Sequence, residues 1–172
     1  MSPVSNKFNH NRFKVFFEPT DKRKAARALR SGHAITYASP NVNELQAIAK
    51  YIDPSFIGKP DDIKGILELC EVASRVLQVI IVTLGPEGAL IYRKADITNK
   101  FNLYPVEKCM NIKNVSGAGD CFASGFLFGV VKNLEESICV KLGFEAAKHA
   151  LMSECPVPHT LGYIKKHNKV FY

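Results

Sequence analysis

Asn114-Val115-Ser116-Gly117-Ala118-Gly119-Asp120-Cys121-Phe122-Ala123-Ser124-Gly125-Phe126 runs on into apolar sequence as far as Val131. The pattern predicts a helix over Gly117 to Val131. Its mouth carries three small residues, Gly117, Ala118 and Gly119. The first backbone N–H groups of a helix have no partner inside it, and the aligned peptide dipoles make that end positive. Small side chains let an anion settle directly onto those donors. Asp120 follows in the same first turn, where a carboxylate either complements the dipole or acts as a general base beside the anion.

Upstream, Gln78 to Leu84 is a continuous β-branched run, the mark of a strand buried on both faces. Gly85-Pro86-Glu87-Gly88 makes a tight turn after it, and Ala89 to Tyr92 returns as a strand. Shorter apolar runs at 13–17 and 34–38 add two more strands. Helices are expected over 21–30, from a cap at Asn41 to Ile52, from Asp61 to Leu77, and from Glu135 to Met152. Residues 95–116 read as short strands and loop, and Pro156 and Pro158 precede a last basic helix or strand. Strands alternating with helices predict an α/β fold with a mostly parallel sheet.

The chain has 172 residues, 47% of them hydrophobic and 23% charged, enough for one domain with a real core. The five cysteines form no C-x-x-C pair, and their odd number argues against a disulfide framework, so all are read as reduced and structural. No apolar run reaches membrane-spanning length, and Met1 to Arg12 lacks an apolar signal core. A cytoplasmic location with no membrane partner is therefore expected. The net charge of +7 is dispersed apart from Lys22-Arg23-Lys24 and Lys165-Lys166, which fits a bias toward anionic small molecules. The chain carries no aromatic–basic module, so no nucleic-acid partner is expected.

The stretch Asn114 to Phe126 closely resembles the second signature of the ribokinase-like (PfkB) kinases. Three other segments match that family in order and approximate spacing. They are Ser39-Pro40-Asn41-Val42-Asn43-Glu44, Val82-Thr83-Leu84-Gly85-Pro86-Glu87-Gly88-Ala89, and Phe17-Glu18-Pro19, where Glu18 replaces the usual aspartate. The resemblance implies a three-layer α/β/α fold, ATP as co-substrate with Mg²⁺, and a small sugar or nucleoside as acceptor. It makes Asp120 the catalytic base and Gly117, Ala118 and Gly119 the anion hole. Asn41 and Glu44 would organise Mg²⁺ through water. Asn41, Thr83, Gly85 and Gly88 would line the nucleotide, and small residues of the helix around Gly143 to Leu151 would leave room for the adenine. The wording is most similar to eukaryotic pseudouridine kinase domains.

Other readings of the same residues stand beside these. Asn41 with Glu44 is equally a capping box, and Gly85 to Gly88 a plain hairpin turn. A dinucleotide-binding glycine loop fits poorly, because Phe122 holds the third glycine position and no clear strand precedes Gly117. Asn114 stands where family members often carry an aspartate that helps hold a monovalent cation, which argues against activation by such an ion. Residues 13–172 are expected to form the C-terminal, ATP-binding part of the kinase domain after a polar segment at 1–12, with the N-terminal half and its lid missing. A sheet edge left open in that way invites self-association. The rival to a working kinase is a truncated nucleotide-binding remnant without catalysis.

Overall fold

A computed structural model describes residues 14–158 of the chain. Five strands form one sheet in the order β1 (Phe16–Phe17), β2 (Ile35–Ala38), β3 (Leu77–Thr83), β4 (Ala89–Arg93) and β5 (Phe101–Tyr104). The pairs β1–β2 and β2–β3 are parallel, and β3–β4 and β4–β5 are antiparallel, so β4 alone among these strands opposes the common direction. The four helices are α1 (Val42–Ile52), α2 (Ile63–Ala73), α3 (Ala118–Val131) and α4 (Glu136–Leu151).

Alternation along the central strands sorts the side chains into two cores. Ile80, Val82, Leu90 and Tyr92 pack with α1 and α2 residues such as Leu45, Ile48, Leu69 and Cys70. The intervening Ile81, Ala89 and Ile91 pack with Phe122, Phe126, Cys139 and Val140 of α3 and α4. Side chains two apart on a strand share a face, so one β-branched run feeds both layers. Each such side chain, fully buried, contributes about 1.5–3 kcal/mol. The three-layer α/β/α arrangement expected from the sequence is present.

The helices form where apolar spacing and caps agree. Leu45, Ile48 and Ala49 line the buried stripe of α1, and Ile66, Leu69, Cys70 and Ala73 that of α2. Asp62 caps α2 by accepting the Gly65 N–H at 2.7 Å. That helix stops at Ala73, earlier than the expected Leu77, which instead opens β3 and is fully buried there.

The expectation of a helix over 21–30 fails. Thr20 adopts a left-handed φ of 63°, and the Asp21 carboxylate accepts the Arg23 N–H at 2.7 Å. That local turn competes with helical pairing. The backbone bonds that follow, such as Lys24 N–H to the Asp21 carbonyl and Arg27 N–H to the Lys24 carbonyl, are three residues apart. A short 3₁₀ turn at Ala28–Ser31 is the regular element formed, and Gly32 closes it at φ 69°, as its place past the segment's end suggested. Ala25 is the one buried residue from 21 to 30, so no apolar stripe drives a helix there. The first strand is likewise shorter than 13–17. Phe13, the polar segment 1–12 and the basic tail beyond Pro158 lie outside the described residues.

Helices α3 and α4 approach closely through glycine. A Cβ on Gly125 would land on the Leu142 carbonyl, one on Gly129 against Cys139, and one on Gly143 against the Phe122 ring. Gly125→Ala is expected to destabilise the protein by about 1–3 kcal/mol, because backbone rather than a flexible side chain must move. Urea denaturation reads this directly, and an unchanged midpoint would mean the helices are not packed at this distance.

Candidate functional site

The parallel strands deliver their C-terminal ends to one pole of the sheet. β2 ends at Ala38, and Ser39-Pro40-Asn41 leads straight into α1. The Thr83 N–H donates to the Pro40 carbonyl at 3.0 Å, and Asn41 and Thr83 form an isolated parallel bridge. Asn41 is therefore fixed beside the last residue of β3. Its Oδ1 accepts the Glu44 N–H at 3.0 Å, and Glu44 Oε2 accepts the Asn41 N–H at 2.9 Å. This reciprocal capping box is worth about 1 kcal/mol. The cap and the expected metal-organising pair are thus the same two residues.

Glu44 is only 5% exposed. Burial pushes its carboxyl above the ordinary glutamate value, the Asn41 N–H pulls it back, and the nearby negative charges of Glu18 and Asp21 push it up again. Asp21 itself is held well below the usual carboxylate range by the Arg23 guanidinium. Glu18 and Asp21 were not expected at the site, since Asp21 reads as a helix start and only the fold brings it near Glu44. The Ser39 hydroxyl is buried without a partner among the described residues.

Hard oxygen donors of this kind suit Mg²⁺. Among the described residues no three acidic, His or Cys side chains lie close enough to hold a metal by themselves. Asn41 and Glu44 therefore do not by themselves make a complete metal site, and the capping box already engages Asn41 Oδ1 and Glu44 Oε2.

Helix α3 packs on the other face of the sheet. Its C-terminal Val130 lines a cavity of about 350 Å³ with Val79 and Arg93, at the start of β3 and the end of β4. From Asp120 to Val130 the helix rises about 15 Å, and from Val79 to Thr83 the strand rises about 13 Å. The first turn of α3 thus stands well away from that cavity. Arg93 and Glu136 pair at the far end, anchoring the start of α4. At the near end the Leu151 carbonyl accepts from the Lys113 and Asn114 N–H groups, just ahead of α3.

Gly117 is the N-cap of α3 at φ 79°, with no side-chain cap. The Cys121 N–H closes the first helical bond on the Gly117 carbonyl at 2.9 Å, while the Gly119 and Asp120 N–H groups have no protein acceptor among the described residues. A Cβ on Gly119 would meet nothing within 4 Å. Two unpartnered donors thus lie in an exposed first turn, which also carries Asp120. Cys121 packs inward, and its thiol is pushed up by burial and by Asp120, which leaves it inert.

Gly85 sits in the turn after β3 at φ 62°, exposed and open. Gly88 differs: it is buried at φ 104°, and a Cβ there would strike the Tyr104 carbonyl. Packing of the turn against β5 accounts for glycine at 88. Gly143 faces Phe122 and Ala146 packs with Cys121, so both are used by the α3–α4 contact.

The model of the pfkB family carbohydrate kinases matches residues 5–154. This chain belongs to the pfkB family. The pfkB chain is 29% identical to a ribokinase of Lactococcus lactis over 137 residues, covering 80% of itself and 38% of that protein. It is 25% identical to a pseudouridine kinase of Arabidopsis thaliana over 193 residues, covering 84% of itself and 51% of the relative. A ribokinase from Cryptococcus neoformans, solved in complex with ADP, superposes with a TM-score of 0.63 at 26% identity, over 89% of this chain and 52% of that one. The chain thus spans about half the length of these relatives or less. Among its described residues no helix is long and apolar enough to cross a membrane.

The raised pKa of Glu44 makes a pH prediction. A carboxyl that binds its proton more tightly when folded adds stability below the ordinary value of 4.5, and this is lost as pH rises through the folded value. Glu44→Gln keeps an acceptor for the Asn41 N–H and removes the ionisation. The variant's thermal midpoint should fall less than the wild type's as pH rises through that window, and parallel profiles would show that Glu44 is not desolvated.

Proposed function

We propose that this chain carries the nucleotide-binding and proton-abstracting part of a kinase that transfers the γ-phosphoryl group of ATP to a hydroxyl of a sugar or nucleoside. The carrying observation is the mouth of α3: unpartnered Gly119 and Asp120 N–H groups, open space at Gly119, and the Asp120 carboxylate in the same turn. Membership of the pfkB family supports the reaction class. The match to a pseudouridine kinase over most of this chain favours a pseudouridine-like acceptor. A cytoplasmic location belongs to the same proposal.

In this reading Gly117, Ala118 and Gly119 receive the migrating phosphoryl group on backbone amides. Asp120 takes the proton as the acceptor oxygen bonds to the γ-phosphorus and the bond to the bridging oxygen of ADP breaks. The products are a phosphate ester, ADP and a proton. Thr83 and Gly85 flank the nucleotide beside Asn41, with Gly88 supporting the turn from inside. Mg²⁺ bound near Asn41 and Glu44 would supply charge neutralisation to the phosphates. Such transfer depends on positioning and electrostatics, with one base and little covalent chemistry from the protein.

The test is ATP consumption by the purified chain with Mg²⁺, alone and with pseudouridine, ribose or adenosine. Acceptor-dependent turnover is expected, falling about 10²–10⁴-fold in Asp120→Asn while nucleotide still binds. Gly119→Ala should keep its thermal midpoint, since no atom opposes the new methyl group, yet bind ATP more weakly. Full activity in Asp120→Asn would remove the base assignment. Nucleotide binding without turnover would favour the second reading, a binding remnant.

A further inference from the structure

The turn that leads into α3 is held from outside by the segment that follows α4. The Leu151 carbonyl accepts the Lys113 N–H at 2.8 Å and the Asn114 N–H at 3.3 Å. Lys113 Nζ lies 3.4 Å from Glu154 Oε1, an exposed pair of small value. Gly117 packs where its missing Cβ would meet the Pro156 carbonyl, and the Cys121 thiol donates to that same carbonyl at 3.8 Å.

Asn114 sits at the centre of this contact with its amide bonded both ways. Its Oδ1 accepts the Ser116 N–H at 2.8 Å, and its Nδ2 donates to the Glu154 carbonyl at 3.5 Å. The first bond fixes the amide's orientation, because only oxygen can accept from an N–H. The nitrogen is then the atom left to face the carbonyl. A monovalent cation, which the family resemblance implies near here, does not fit this donor set. The Asn114 nitrogen presents hydrogens rather than a lone pair toward the Glu154 oxygen.

We propose that Asn114 is a positioning residue that closes the anion-hole turn onto residues 151–156 through its own amide, so that this brace works without a monovalent cation. The inference rests on the proposed phosphate site at Gly117 to Asp120. The same electrostatics give a converse. An aspartate at 114 would keep the bond to Ser116 but set its second oxygen against the Glu154 carbonyl. Two acceptors facing each other repel, and a cation between them relieves the repulsion.

The full chain and its Asn114→Asp and Asn114→Ala variants are compared in potassium and in tetramethylammonium chloride at equal ionic strength. The readouts are the thermal midpoint and the Kd for a non-hydrolysable ATP analogue with Mg²⁺. The wild type should show the same values in both salts. Asn114→Asp should bind about fivefold more weakly in tetramethylammonium, as loss of one hydrogen bond implies, melt lower there, and recover both properties in potassium. Asn114→Ala should be weakened in both salts without recovery. Potassium strengthening analogue binding or raising the midpoint of the wild type would overturn the proposal whether or not the variants fold. So would an Asn114→Asp protein that matches wild type in tetramethylammonium. A wild type that binds no analogue in either salt would refute the phosphate-site reading instead, and the thermal midpoints then decide the brace alone.

Discussion

Burial of β3 on both faces is the constraint from which the rest of the architecture follows. Ile80 and Val82 commit one face to α1 and α2, and Ile81 commits the other to α3 and α4. Helices that return along a strand begin where the strand ends. α1 therefore presents its N-terminus at the level of Thr83, beside which Asn41 is fixed. Its positive dipole end lies at the carboxyl ends of the parallel strands without any residue being chosen for that purpose. Crevices at the carboxyl ends of strands are where open α/β sheets bind ligands.

The same residues serve packing and the site, and the structure separates the two uses. Glycines 125, 129 and 143 let α3 and α4 approach, and Gly88 lets the β3–β4 turn lie on β5. A Cβ on Gly119 would meet nothing within 4 Å among the described residues, so packing gives no reason for glycine there. Gly117 does both, adopting a left-handed cap while packing on Pro156. At the α1 mouth the division is reversed. The capping box satisfies the Asn41 and Glu44 N–H groups, yet it buries a carboxylate beside Glu18 and Asp21, a local excess of negative charge that a divalent cation would relieve.

Much of this was legible in the sequence because it rests on short-range pattern. The β-branched run of β3, the cap at Asn41 and the small residues at the α3 mouth each carry a local physical signature. What was not legible depends on distant contacts. The 21–30 segment has helical composition, but Asp21 turns onto Arg23 and no apolar stripe docks the segment, so it forms 3₁₀ turns. The approach of Glu18 and Asp21 to Glu44 follows from the meeting of β1 and β2. The carbonyls of Leu151, Glu154 and Pro156 that steady residues 113–121 belong to the backbone, and no side-chain pattern announces them. Gly143 and Ala146 pack against α3, and their smallness alone does not announce that contact.

The central claim is that phosphate is received by the free amides at the mouth of α3. Backbone amide NMR spectra of the chain, titrated with Mg²⁺ and a non-hydrolysable ATP analogue, test it most directly. The Gly119 and Asp120 amide protons should move downfield as they gain an acceptor, together with shifts at Thr83 and Gly85. Shifts confined to the opposite pole, around Val79, Arg93 and Glu136, with Gly119 and Asp120 unmoved, would contradict it.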